Sequence, residues 1–317
     1  MKKSIALLLK IVIGLSILGA TISAVGVQEV VEAFSDVRIS LLVLSFSIEP
    51  IVQVFAGAIY KILLSHFNHD LPLLFLTRCA SVSFAVGLIS PGRVTELSIL
   101  IPFKKKGVKI THGVTAFMAD KYLTFLVLSL IGSLGILYFI GSLAFLIAIT
   151  LLIFAFLSIY YILTSLSYKS IVQRYILKGR SESFHEFSKS FRRLLQDKKI
   201  ILLAVLVKSL KWCLSFISVS LMFVALGFSI DPITVGMIFS AVALLSALPF
   251  TFSGIGVKEG SGAYFFNAFA GVPPAIATNA MLLSTAKNFL MGFIFYSLSS
   301  GILVKSDGEN GKDKKLL

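Results

Sequence analysis

Glu49, Arg78, Arg93, Glu96, Asp120, Lys121, Lys208, Lys211, Lys258, Glu259 and Lys287 all fall inside or beside long apolar runs. A charge at the centre of a bilayer costs at least ~2.5–3.5 kcal/mol, so such residues are usually paired and functional. Acids and bases nearly balance in this set, which allows buried pairs. Arg93, Glu96, Lys258 and Glu259 stand out because each sits on a broken segment. The stretch Pro249–Glu259 carries Pro249, Gly254 and Gly256 ahead of Lys258-Glu259. Backbone broken at membrane depth is tolerated only where it is buried in protein or lines a cavity. The chemistry such a break offers is anion binding. A helix N-terminus presents free N–H groups and a positive dipole end. Gly254 and Gly256 would let an oxygen approach the backbone, and Arg93 or Lys258 would complete a phosphate-sized site. Glu96 and Glu259 would hold those cations when the site is empty, or take up protons. Asp120, Lys121 and Lys287 are further candidates for substrate binding. Lys208 and Lys211, two to three turns from a basic boundary, read as interfacial lysines that snorkel.

A second copy of the broken stretch lies upstream. Ser90-Pro-Gly-Arg-Val-Thr-Glu96 aligns without gaps with Ser253-Gly-Ile-Gly-Val-Lys-Glu259, matching serine, valine and glutamate. Each copy is followed by a Gly-Val pair (Gly107-Val108, Gly271-Val272). A long apolar helix then carries a lysine in its first half, Lys121 or Lys287. Paired, interrupted hydrophobic segments in corresponding halves point to a transporter's binding site.

The elements that position these residues follow from composition. The chain has 317 residues, 57% hydrophobic and 14% charged, with mean hydropathy +0.95. Several runs exceed the ~20 residues that cross a hydrocarbon core, so this is an all-α polytopic membrane protein. Its net charge of +14 sits mainly in the loops, which argues for the positive-inside bias and attraction to anionic lipids rather than nucleic acid. Cys79 and Cys213 read as small hydrophobes, with no disulfide or metal spacing around them. Met1–Ala24 is too long for a signal-peptide core and is interrupted by Lys10, so it reads as a retained helix.

The sequence predicts about six full spans: Ile5–Val25, Ser40–Leu64, Thr111–Phe139, Ser142–Leu166, Ile200–Leu226 and Pro273–Leu303. Two re-entrant hairpins, Pro72–Ile101 and Pro232–Ala270, bring the total to about eight helices. Gln28–Arg38 reads as an outer acidic loop. The basic segment Tyr168–Lys199 reads as cytoplasmic, and Phe184, Phe187, Phe191, Leu194 and Leu195 mark an interfacial amphipathic helix in it. Residues 1–304 form one membrane domain with repeat-like halves at about 40–166 and 200–304, and residues 305–317 read as a disordered tail. If Pro72–Ile101 crossed once, Lys104-Lys105-Lys106 and Lys109 would lie outside. A fold-back at Pro91-Gly92 keeps them in. The second hairpin must then enter and leave from outside. The halves are thus inverted, with both termini cytoplasmic.

Catalytic signals are poor. His66, His69 and Asp70 read as a solvated surface, and His112 and His185 have no companions at ligand spacing. There is no nucleophile elbow, Walker loop or dinucleotide fingerprint. No metal, cofactor or enzymatic activity is expected.

At these residues the chain resembles the flippase-like membrane domain of the lysylphosphatidylglycerol synthase family. The resemblance is carried by Ser90–Leu97, Met118-Ala-Asp-Lys-Tyr122, Pro249–Glu259 and Gly271-Val-Pro273. It implies a multi-span helical domain with re-entrant segments that moves lipids between leaflets. Some family members carry a fused aminoacyl- or glycosyltransferase domain. This chain shows neither, so aminoacyl-lipid synthesis is not carried over. Thr95 stands where the family commonly has glycine, and Asp120-Lys121 where it often has glutamate-arginine. A point charge there replaces a forked donor.

The leading expectation is translocation of an anionic phospholipid or polyprenyl-phosphate-linked lipid across the cell membrane. The alternative is a non-transporting subunit that anchors or regulates a separately encoded glycosyltransferase or lipid-modifying enzyme. An intramembrane transferase using Glu96 or Glu259 as a base, and a small-solute transporter, are further readings.

Overall fold

Apolar runs without internal partners satisfy their backbone only as helices, and among the described residues every long element of the computed structural model is helical. The structure describes residues 2–34, 37–164, 181–248 and 251–304. In chain order the helices are α1 (Lys2–Val25), α2 (Val27–Glu32), α3 (Ile39–Ser65) and α4 (Leu73–Leu88). A 3₁₀ segment (Pro91–Ile99) precedes α5 (Leu100–Lys105), α6 (Ile110–Phe139), α7 (Ser142–Thr164), α8 (Ser181–Gln196) and α9 (Lys198–Ala225). The chain ends in α10 (Pro232–Ala247), α11 (Val257–Ala270), α12 (Pro274–Ser299) and α13 (Gly301–Val304). The expected tail 305–317, the segment 168–180, Asp36 and Pro249 lie outside the described residues.

Helices α3, α6, α9 and α12 are long and apolar enough to cross a membrane. At ~1.5 Å per residue each exceeds the ~30 Å hydrocarbon thickness. Shorter apolar stretches occupy α1 (Lys10–Val25), α4, α7 (Ser142–Ser158) and α10. The polytopic helical architecture read from the sequence is therefore present. Helix α7 presents Leu143, Phe154 and Leu157 outward, each more than half exposed, as a lipid-facing surface requires.

The central pair is α3 against α9. The two run antiparallel: the Arg38 N–H donates to the Ala225 carbonyl at one end (2.9 Å), while His66 Nδ1 meets Asp197 Oδ2 at the other (2.9 Å). Two turns in from the Arg38–Ala225 end, Ser45 Oγ donates to the Ser218 carbonyl (2.7 Å) and Ser218 Oγ to the Ser45 carbonyl (3.0 Å). Around them, α4 packs on α12 and α6 packs on α10.

At each broken stretch the two arms pack on one another. In the first, Ser83 Oγ donates to the Glu96 carbonyl (2.6 Å) and Thr95 Oγ1 to the Val86 carbonyl (2.7 Å). The descending arm is 3₁₀ rather than α. Pro91, Gly92, Val94, Thr95 and Ser98 are poor α-formers, and the Ser83 and Thr95 hydroxyls draw backbone groups toward the neighbouring arm. In the second, α10 and α11 pack side by side.

Three local expectations change. The acidic stretch after α1 contains helix α2, fastened where Asn279 Nδ2 donates to the Val30 carbonyl (2.8 Å). The amphipathic helix exists as α8, but Phe191 and Leu194 are fully buried in the protein, so its apolar stripe packs on the bundle rather than on lipid. The histidines have partners in space: besides His66–Asp197, His69 Nε2 lies 3.0 Å from His112 Nδ1, and Phe67 stacks on His112 at 4.3 Å. His112 and His69 are 43 residues apart, too far for a spacing pattern to connect them.

Asp197 also caps α9, accepting from the Ile200 N–H (3.3 Å). The hydrogen bond from His66 and then this N–H hold its carboxyl below the usual aspartate range. A carboxylate depressed in the folded state stabilises above its ordinary pKa of ~3.9, and that stabilisation is lost as pH falls through the folded value. The melting-temperature gap between wild type and Asp197→Asn is therefore expected to be full above pH ~5 and to close below pH ~4. Melts across that range check it.

Candidate functional site

Two apolar clusters fill opposite ends of the bundle. One gathers the second half of α3 with the first halves of α4, α6 and α9, plus α8. The other gathers the second half of α9 with α10, α11 and the first half of α12. Between them lies a cavity of about 570 Å³ whose lining includes Glu49, Arg93, Glu96, Asp120, Lys121, Lys208, Lys211, Lys258 and Lys287. A space of this size lies in the ~300–1,000 Å³ range of small-ligand sites.

From the first hairpin comes an unbroken run of charge. Arg93 Nη1 donates to Glu96 Oε1 (3.4 Å), and Lys121 Nζ donates to the other oxygen, Glu96 Oε2. Lys121 also lies 3.7 Å from Asp120 Oδ2. Asp120 Oδ1 accepts from Lys208 Nζ, which reaches Thr124 Oγ1 at 3.0 Å. The Arg93 and Lys121 side chains are 38% and 37% exposed, whereas that of Lys208 is 2% exposed.

On the other side, Lys287 Nζ meets Glu49 Oε2 at 2.9 Å, with both side chains buried. Gln53 Nε2 donates to Glu49 Oε1 (3.1 Å), and Lys287 donates to Ser218 Oγ (3.0 Å). Glu49 and Lys208 are each the eleventh residue of α3 and α9. Glu49 on α3 thus pairs with α12, and Lys208 on α9 pairs with α6.

Lys258 and Lys211 complete the polar lining. Lys258 Nζ donates to Ser284 Oγ (2.7 Å) and lies over the Phe239 ring (5.8 Å). Lys211 lies over Trp212 (5.4 Å). Neither has a carboxylate partner among the described residues, whereas Glu49, Asp120 and Glu96 all do. Six cations face three carboxylates that are already paired. Such a chamber attracts anions and has no free carboxylate for a cation.

The predicted site residues divide. Arg93, Glu96, Asp120, Lys121, Lys258 and Lys287 line the cavity. Glu259, Gly254 and Gly256 do not. Glu259 is buried, accepting from the Gly256 N–H (2.7 Å) and Thr285 Oγ1 (2.7 Å). The N-terminus of α11 is thus capped by the protein's own carboxylate instead of standing open to a ligand. A Cβ at Gly256 would meet Ile17 Cβ at 3.0 Å and Leu18 N at 3.1 Å, and one at Gly254 would meet the Ser246 carbonyl oxygen at 2.8 Å. These glycines permit close packing against α1 and α10. Lys208 and Lys211, expected at the interface, lie in the cavity instead, because α3 and α6 cover the face of α9 that bears them. Helical spacing carried that signal: Lys208, Lys211, Ser215 and Ser218 follow one face of α9, and Ser45, Glu49 and Gln53 one face of α3. Arg78 is exposed and outside the cavity.

Residues 7–295 match the family described as the lysylphosphatidylglycerol synthase TM region. A UPF0104 membrane protein of Methanothermobacter thermautotrophicus is 28% identical over 109 residues. That match covers 34% of this chain and 32% of the relative, about a third of the length of each.

Proposed function

We infer function from one premise: the chain belongs to the lysylphosphatidylglycerol synthase TM region family. From it we propose that the protein carries a lipid with an anionic headgroup across the cell membrane. The observation that carries this reading is the cation-rich chamber between the two apolar clusters, whose carboxylates are already paired. The headgroup enters past Arg93 while its tails stay in the bilayer, and Lys258 and Lys211 meet the negative charge. Rocking of the halves about the α3–α9 crossing presents the chamber to each leaflet in turn, with the hairpins as re-entrant elements of opposite orientation. Lysine and arginine bias puts both termini in the cytoplasm. The protein acts as a transporter rather than as an enzyme.

Reconstituted protein is expected to accelerate movement of an acyl-labelled anionic phospholipid between leaflets. Arg93→Gln combined with Lys258→Met is expected to slow it at least tenfold. Unchanged flipping in the double variant would overturn this site assignment. No flipping by wild type, together with a stoichiometric co-purifying enzyme, would support the reading as an anchoring subunit instead.

A further inference from the structure

We propose, building on the translocation reading above, that the chamber is matched to a headgroup ending in a phosphate monoester, not to one held as a phosphodiester. The distinction is one of charge. A phosphodiester carries a single negative charge, whereas a phosphomonoester carries about −1.5 to −2 at neutral pH.

The lining sets the count. Each carboxylate facing the cavity has its own cation: Glu49 has Lys287, Asp120 has Lys208, and Glu96 has Lys121 with Arg93 on the same carboxylate. Two ammonium groups are left over, Lys211 and Lys258, and no carboxylate pairs with either among the described residues. Lys258 is 8% exposed and has a neutral hydroxyl, Ser284 Oγ, as its hydrogen-bond acceptor. Lys211 is half-buried beside the Trp212 ring. Burying an ammonium group without a counter-ion is expensive, and an incoming anion removes that cost. With Arg93 and Lys121 sharing one carboxylate, the lining holds three more cations than carboxylates, so an occupant with two negative charges offsets more of the excess than one with a single charge. A phosphomonoester supplies both on one small group, with three terminal oxygens to share between the lysines. A zwitterionic or aminoacylated headgroup fits worse, since it brings an extra cation that finds every carboxylate engaged. Apolar lining from Leu88, Leu244, Ala247 and Phe289 suits a hydrocarbon chain leaving the same chamber.

The test uses proteoliposomes of the full chain and two acyl-labelled probes that share their tails, phosphatidic acid (monoester) and phosphatidylglycerol (diester). A third arm follows uptake of soluble glycerol 3-phosphate. Wild type is expected to flip the monoester at least tenfold faster than the diester. Lys211→Met and Lys258→Met are each expected to lower that ratio by about tenfold. A ratio taken within one preparation cancels the fraction of folded protein, so poor folding of a variant does not mimic the result. Equal flipping of both lipids, or a ratio unmoved by both substitutions, overturns the charge match while leaving translocation standing. Flipping of neither lipid, with no uptake of glycerol 3-phosphate, overturns translocation itself. Uptake of glycerol 3-phosphate without lipid flipping keeps the phosphomonoester and overturns the lipid.

Discussion

Glu49→Gln is expected to be among the most destabilising single changes available in this protein, and Lys287→Met in the same chain is expected to undo most of the damage. Glu49 and Lys287 meet at 2.9 Å with side chains 7% and 5% exposed. Removing the acid leaves an ammonium group held in place by the Ser218 hydroxyl, without a charge to answer it and with little water. Breaking a buried pair from one side typically costs about 3–5 kcal/mol, whereas replacing both members with apolar groups of similar size is often close to neutral. Against a total stability of order 5–15 kcal/mol that is a large fraction, and it corresponds to a melting-temperature drop of roughly 10 °C. The double variant should therefore melt well above Glu49→Gln alone, with a coupling energy of the sign expected for directly interacting residues. Asp120→Asn and its rescue by Lys208→Met should repeat the pattern, because that pair is likewise buried between two helices. Equal melting temperatures for Glu49→Gln with and without Lys287→Met would sink the claim that the pair, rather than packing around Glu49, sets the cost.

How these pairs form also explains what could be read from residues alone. Apolar run length specified the long helices α3, α6, α9 and α12, since nothing but a helix satisfies that much backbone in hydrocarbon. Pro91-Gly92 marked the turn of the first broken stretch through local sterics. Pairing of Glu49 with Lys287 and of Asp120 with Lys208 was not legible. It depends on which helix covers which face: the polar face of α9 turns Lys208 toward other helices, but nothing in it names an aspartate 88 residues away as the partner. The second broken stretch shows the same limit. Lys258-Glu259 reads as an ion pair, yet the two side chains part: lysine turns to the cavity and Ser284, while glutamate turns back to cap Gly256. Adjacent helical residues point about 100° apart, so neighbours in sequence face different partners.

Gly256→Val is expected to cost about as much as losing a buried charge, by a different route. Gly256 has φ 83° and ψ −51°, a conformation that a β-branched residue reaches only with strain, of order 1–3 kcal/mol. Space adds to conformation. A Cβ here runs into the Gly14 carbonyl of α1 and stands 3.0 Å from Ile17 Cβ and 3.1 Å from Leu18 N. Two of those atoms are backbone and cannot swing aside, so α1 must move off the turn that leads into α11 or the turn must open. A combined cost of roughly 3–5 kcal/mol follows. Gly271→Val supplies the comparison: Gly271 also has positive φ (63°), but nothing lies within 4 Å of its Cβ position. Strain alone should act there, and the difference between the two melting temperatures reports the contact with α1. Equal losses would mean that α1 yields freely and does not hold the turn. If instead Gly256→Val melts lower, it should also slow lipid flipping more than Gly271→Val does, because α1 then presses on the same turn that aims Lys258 into the cavity.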